Sequence, residues 1–183
     1  TGSGALGRTL SLEKNCTIDG LTYNPEELAV ARPYYRHLHL VDLEQEKTSE
    51  VFASESYDRI VCADVLEHLR NADAVLADLA RLLKPDGRIL VSVPNTAYLG
   101  VVTCLIAGHL TRTREGLLDA THIRFFDRIA LDELAQTAGL RIVALERVIR
   151  NPGDTEFRLL DFDALPPAVL HYLQTLPDAL TYE

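Results

Sequence analysis

Short β-branched runs alternate with helical patterns along most of the chain, and this alternation limits its fold more than any other feature. Strands are expected over residues 16–21, 37–41, 57–63, 88–93 and 140–148. Helices are expected over 6–13, 24–32, 72–83, 127–139 and 167–173. In the 72–83 stretch Val75, Leu76, Leu79, Leu82 and Leu83 share one helical face. Asn24 before Pro25 and two glutamates reads as a helix start, as does Asp127, while Gly139 reads as a stop. Lys84-Pro85-Asp86-Gly87 is expected to end the 72–83 helix and turn the chain. Strands alternating with helices predict an α/β, doubly wound, mostly parallel sheet with helices on both faces. Ligands of such sheets sit at the carboxyl ends of the strands, which singles out Thr22, Asp42, Asp64 and Asn95.

The chain opens on Thr1-Gly2-Ser3-Gly4-Ala5-Leu6-Gly7, a glycine-dense turn leading into a helical pattern. Glycines let backbone approach a ligand, and a helix N-terminus offers free N–H groups. The 183 residues suit a single domain over 1–183, with 97–126 as a lid or cap insertion. A net charge of −9 argues against a nucleic-acid binder, which needs a basic face. Cys62 and Cys104 stand in apolar runs and read as buried, reduced thiols, an arrangement that fits the cytoplasm. The apolar run 97–110 contains His109 and is too short to span a bilayer. It reads as a lid or interface helix, more packing than chemistry.

Four segments in order resemble class I S-adenosylmethionine-dependent methyltransferases. Gly2-Ser3-Gly4-Ala5-Leu6-Gly7 is similar to their glycine-rich first motif, and Asn24-Pro25-Glu26-Glu27 to the segment after their second strand. Ala63-Asp64-Val65-Leu66-Glu67-His68 is similar to the end of their fourth strand and its loop. Lys84-Pro85-Asp86-Gly87 with Val91-Ser92-Val93-Pro94-Asn95 is similar to the turn and fifth strand. Thr121-His122-Ile123-Arg124-Phe125-Phe126 resembles a motif of the methyltransferase-23 subgroup, with ubiquinone-biosynthesis O-methyltransferases as more distant relatives.

The resemblance implies a Rossmann-like methyltransferase fold whose first strand is missing from this chain. It implies S-adenosylmethionine as cofactor, held by Gly2, Gly4, Thr22, Asp42, Ala63 and Asp64. The family carries an acid at the end of the second strand for the ribose hydroxyls, and Thr22 stands there instead. The implied reaction is methylation of a small molecule or glycan, at oxygen. A non-catalytic methyltransferase-like binding module is the alternative, motivated by Thr22. Removing a hydroxyl proton calls for a base that titrates near neutrality, and His68 and His122 are the candidates. His37 and His39 share one strand face and read as packing. No histidine–carboxylate set shows metal-ligand spacing along the chain, so no metal is expected. Arg112, Arg114 and Arg124 are candidates for an anionic group on the acceptor. The oligomeric state is left open.

Overall fold

The computed structural model describes residues 4–14 and 16–183. Contacts divide the chain into two compact units, Thr1–Ala53 and Ser54–Glu183. In the first unit the glycine turn leads into helix α1 (Ala5–Glu13), followed by β1 (Asp19–Thr22), α2 (Pro25–Ala31) and β2 (His37–Leu40). The two strands pair in parallel, Asp19 opposite His37 through Thr22 opposite Leu40. Strand β1 starts later than the pattern suggested, because the ladder and the carboxylate of Asp19 begin together. That carboxylate accepts from the backbone N–H of His37 at 3.2 Å and pairs with Arg36. Asn24 caps α2 as expected, its side chain accepting from Glu26 N–H at 2.9 Å. His39 packs edge-on against Phe52, which agrees with its reading as a packing residue.

In the second unit β3 (Tyr57–Ala63) and β4 (Leu83–Ser92) run in parallel, linked by α3 (Ala72–Ala80). The crossover places Val75, Leu76 and Leu79 of α3 in the core, and α3 also packs on α5 (Arg128–Thr137). Asp127 caps α5 through Ala130 N–H at 2.8 Å, and Gly139 closes it at φ +73°. Helix α3 ends at Ala80, and Leu83 already belongs to β4. Residues 84–87 do not turn the chain out of the sheet. They bulge within β4, so the register jumps from Tyr57–Leu83 to Arg59–Arg88.

Residues 140–148 form no strand. A strand exists through its ladder, and here the one bridge is Ile149 opposite Thr181. Ile142, Val143, Leu145 and Val148 are exposed, and backbone pairing reaches the stretch only at its end, where Val148 donates to Glu183 at 3.1 Å and accepts from Tyr182 at 2.7 Å.

Beyond β4, helix α4 (Leu99–Ile106) packs into the core of the second unit. Tyr98, Val101 and Cys104 cluster with Leu117, Leu118 and Phe157. Leu99 packs with Leu165 and with Leu173 of α6 (Pro167–Gln174). Cys62 and Cys104 are buried free thiols, as their apolar surroundings predicted, while Cys16 is exposed. No helix among the described residues is long and apolar enough to cross a membrane. Leu118 is fully enclosed by the α4 cluster. Leu118→Ala is therefore expected to cost about 2–5 kcal/mol through lost burial and an unfilled cavity, read by urea unfolding.

Candidate active site

The chain leaves β3 through Asp64, whose φ of +50° places it in the left-handed region. Aspartate tolerates this conformation better than most residues. Its carboxylate accepts from the Ser92 hydroxyl at 3.1 Å, tying the ends of β3 and β4 together. A single 3-10 turn, Leu66–His68, follows. Leu66 and Leu69 anchor it in the core, and Glu67 is carried in between them, with only 1% of its surface exposed. Neither carboxylate oxygen of Glu67 has a hydrogen-bond partner among the described residues. Burial pushes the carboxyl up to about 7, and the carboxylates of Asp64 and Glu183 add to the rise.

The loop carrying His122 is tied to this turn. The Glu67 carbonyl accepts from Ile123 N–H at 2.8 Å and Arg124 N–H at 3.0 Å. Arg112 braces the loop from within, donating to the carbonyl of Asp119 at 2.6 Å and to that of His122. Asp119 accepts from the backbone N–H and the hydroxyl of Thr121, which hold its carboxyl below the usual range. Glu156 accepts from Leu117 N–H at 2.6 Å and from the Tyr182 hydroxyl at 2.9 Å. Gly116, at φ +90°, passes so close to Glu156 that a side chain there would strike it.

His68 and His122 meet as a result, their rings edge-on with centroids 4.8 Å apart. His122 is buried and His68 exposed. Each Nδ1 faces a backbone carbonyl, Leu117 at 3.1 Å for His122 and Thr121 at 3.3 Å for His68. A carbonyl only accepts, so each neutral ring carries its proton on Nδ1 and keeps the lone pair on Nε2. One ligand atom from each of Glu67, His68 and His122 lies within 4.8 Å of the other two. The spacing argument against a metal does not reach this arrangement, because the loop brings residue 122 back onto residues 67 and 68. Glu67 completes this cluster, and sequence reasoning passed over it. Its signal was an acid set between two buried leucines in the turn after an apolar strand.

A family model described as a methyltransferase domain matches residues 1–145. The chain belongs to this family of class I S-adenosylmethionine-dependent methyltransferases. It is 28% identical over 165 residues to a ubiquinone biosynthesis O-methyltransferase of Aeromonas salmonicida, covering 86% of this chain and 67% of that protein. It is 26% identical to the methyltransferase GfsG of Streptomyces halstedii, covering 92% of this chain and 60% of that protein. A solved methyltransferase from Archaeoglobus fulgidus shares the fold at TM-score 0.64 and 16% identity, covering 99% of this chain and 77% of that one.

Family membership assigns this methyltransferase S-adenosylmethionine as cofactor, and each unit has groups that suit part of it. Gly2 lies outside the described residues. Gly4 is the N-cap of α1 and offers no side-chain cap, while Gly7 N–H in the first turn donates to the Tyr35 hydroxyl. The glycine itself is demanded by protein packing: a Cβ at φ +81° would stand 2.9 Å from the Ala31 Cα. Thr22 is buried, and its hydroxyl donates to Glu27 at 2.8 Å while accepting from Asn24 N–H. A carboxylate is thus present beside Thr22, supplied by the first turn of α2 instead of the strand end. Asp42 spends its oxygens on its own turn, accepting from Glu44 N–H and the Gln45 amide. In the second unit Ala63 and Asp64 are exposed at the carboxyl end of β3, where the strand-end rule puts ligands. Asn95 is structural, donating to the carbonyl of Thr181 at 2.7 Å. Arg124 is paired with Asp73 at 2.7 Å and Arg112 is bound to its loop, so neither is a free anion receptor.

Gly4→Ala is expected to destabilise the chain by more than about 1 kcal/mol, from the left-handed backbone and the clash with Ala31. Gly153→Ala, with open space around it, is the control that leaves stability unchanged. Urea unfolding of the two variants checks the difference.

Proposed function

We propose that this methyltransferase moves the methyl group of S-adenosylmethionine to a hydroxyl oxygen of a small molecule. The observation that carries this reading is the Glu67–His68–His122 cluster, three proton-accepting groups gathered just beyond the carboxyl end of β3. The names of the relatives support the oxygen acceptor, since the Aeromonas protein is a ubiquinone biosynthesis O-methyltransferase. The family match over residues 1–145 supports a single methyltransferase domain, in which residues 97–126 are the cap.

Bound S-adenosylmethionine supplies a methyl group on a sulfonium centre, open to in-line attack. The chain's own part is to place the acceptor oxygen and to take its proton. His68 serves as the proton acceptor, because its Nδ1 is turned to the Thr121 carbonyl, Nε2 is the nitrogen left to take a proton, and the ring reaches solvent. His122 packs edge-on against the ring, and the nearby carboxylate of Asp119 keeps the surroundings favourable to positive charge. On the cofactor side, Gly4 lets the backbone at the start of α1 approach the ligand, with Ala5 and Leu6 N–H as the donors. Glu27 takes the ribose hydroxyls in place of Thr22, whose hydroxyl orients it. Asp42 borders the adenosine through the turn it caps, and Ala63 and Asp64 line the cofactor at the end of β3.

Two measurements test this reading. Calorimetric titration with S-adenosylmethionine is expected to show binding that weakens roughly 10- to 100-fold in Glu27→Gln, the loss of charge-assisted hydrogen bonds. Thr22→Asp is expected to weaken it too, since a second carboxylate would crowd Glu27. Tighter binding in Thr22→Asp would place the ribose contact at residue 22 after all. With methyl-labelled cofactor and a panel of phenolic and sugar hydroxyls, turnover in His68→Ala is expected to fall roughly 10²- to 10⁴-fold at unchanged cofactor affinity. Wild-type turnover in that variant would exclude His68 as the base. No cofactor binding by the native chain would favour a non-catalytic module.

A further inference from the structure

We propose that Glu67, His68 and His122 together hold a divalent transition-metal ion of the zinc type. The donor set is two imidazoles and one carboxylate, with ligand atoms already within 4.8 Å of one another. Around a zinc ion bonded at about 2.0–2.1 Å, tetrahedral ligand atoms stand roughly 3.4 Å apart. The atoms need to draw in by little more than an ångström, and exposed His68 has the freedom to do so.

Three independent features point to a cation in this place. The first is the Glu67 carboxylate, buried with both oxygens unpartnered among the described residues. A carboxylate in that state is strongly unfavourable unless a proton or a cation joins it. The second is the pair of imidazoles. The Leu117 and Thr121 carbonyls take the Nδ1 protons, which leaves both Nε2 lone pairs for a ligand. A backbone carbonyl behind a histidine is the usual outer partner of a metal-bound imidazole, fixing its tautomer and orientation. The third is the charge nearby: Asp64 and Glu183 both act on Glu67, and Asp119 interacts with both histidines. Nothing positive among the described residues answers the Glu67 oxygens directly.

The donor atoms select the ion. Magnesium and calcium prefer all-oxygen shells, whereas two nitrogens and one carboxylate suit zinc, manganese or iron(II). Three protein ligands with His68 on the solvent side leave a coordination position open, the pattern of an ion that meets a substrate rather than one that staples a fold. This inference rests on the methyl-transfer reading of the same cluster and recasts one part of it: with an ion bound, His68 would be its ligand, and the acceptor hydroxyl, met by the ion, would lose its proton to solvent instead. The binding test below uses neither cofactor nor acceptor, so its outcome is independent of that reading.

The test is isothermal titration of the chelator-treated 183-residue chain with zinc chloride, and in parallel with magnesium chloride. It is run in a Cys16→Ser background, which removes the exposed thiol as a competing ligand. The expected result is one equivalent of zinc bound, with magnesium far weaker. Glu67→Gln and His68→Ala should each weaken zinc binding by roughly tenfold or more. Circular dichroism confirms that the variants are folded, and exposed His68 keeps the test valid should a core variant fail. Absence of zinc binding overturns the proposal, as does equal zinc affinity in the native chain and in folded His68→Ala. Magnesium binding as tightly as zinc overturns the assignment of the nitrogen donors.

Discussion

A buried carboxyl group with no partner is the constraint around which the second unit of this methyltransferase is arranged. Folding removes Glu67 from water, and among the described residues no donor compensates its oxygens. The surrounding contacts keep it there all the same. Leu66 and Leu69 hold the turn in the core, and the Glu67 carbonyl receives two N–H groups from the His122 loop. The backbone of Glu67 is well satisfied while its side chain is not. That contrast marks a residue retained for what its side chain does to something else.

The loop opposite is correspondingly rigid. Glu156, Arg112 and Asp119 each spend their polar atoms on backbone groups of residues 117–122. All three are charged groups of the kind that sequence reading assigns naturally to solvent or to ligand. Here they set the position of one buried imidazole, His122, which in turn lies against the exposed ring of His68. Precision at a site of this kind comes from such supporting contacts, since the reacting groups themselves sit on a loop and a short turn.

Much of the architecture was legible in the sequence because it depends on local chemistry. Asn24 and Asp127 cap helices where their side chains can reach free N–H groups, and the apolar stripe of α3 faces the core. Features set by distant partners were not legible. Residues 140–148 have strand composition but no ladder, and the 84–87 turn is absorbed as a bulge because β3 continues beside it. At the site, His68 and His122 were visible as types, but their meeting depends on a loop fold that no spacing rule encodes. Thr22 looked like a deficit until Glu27 was found hydrogen-bonded to it from the next helix. The glycine at position 4 was legible as a close backbone approach, but its packing against Ala31 was not, because that contact comes from the next helix.

The central claim is that Glu67 is kept for function at a cost to stability, and thermal unfolding of Glu67→Leu tests it most directly. In chelator-containing buffer nothing remains to pair with the carboxyl, and leucine fills a similar volume without polar atoms. An unsatisfied buried polar group costs about 1–3 kcal/mol of desolvation, which an apolar side chain of similar size does not incur. The account predicts a melting temperature equal to or above that of the native chain. A clear fall in melting temperature would contradict it, showing that the Glu67 carboxyl holds the fold together through contacts of its own.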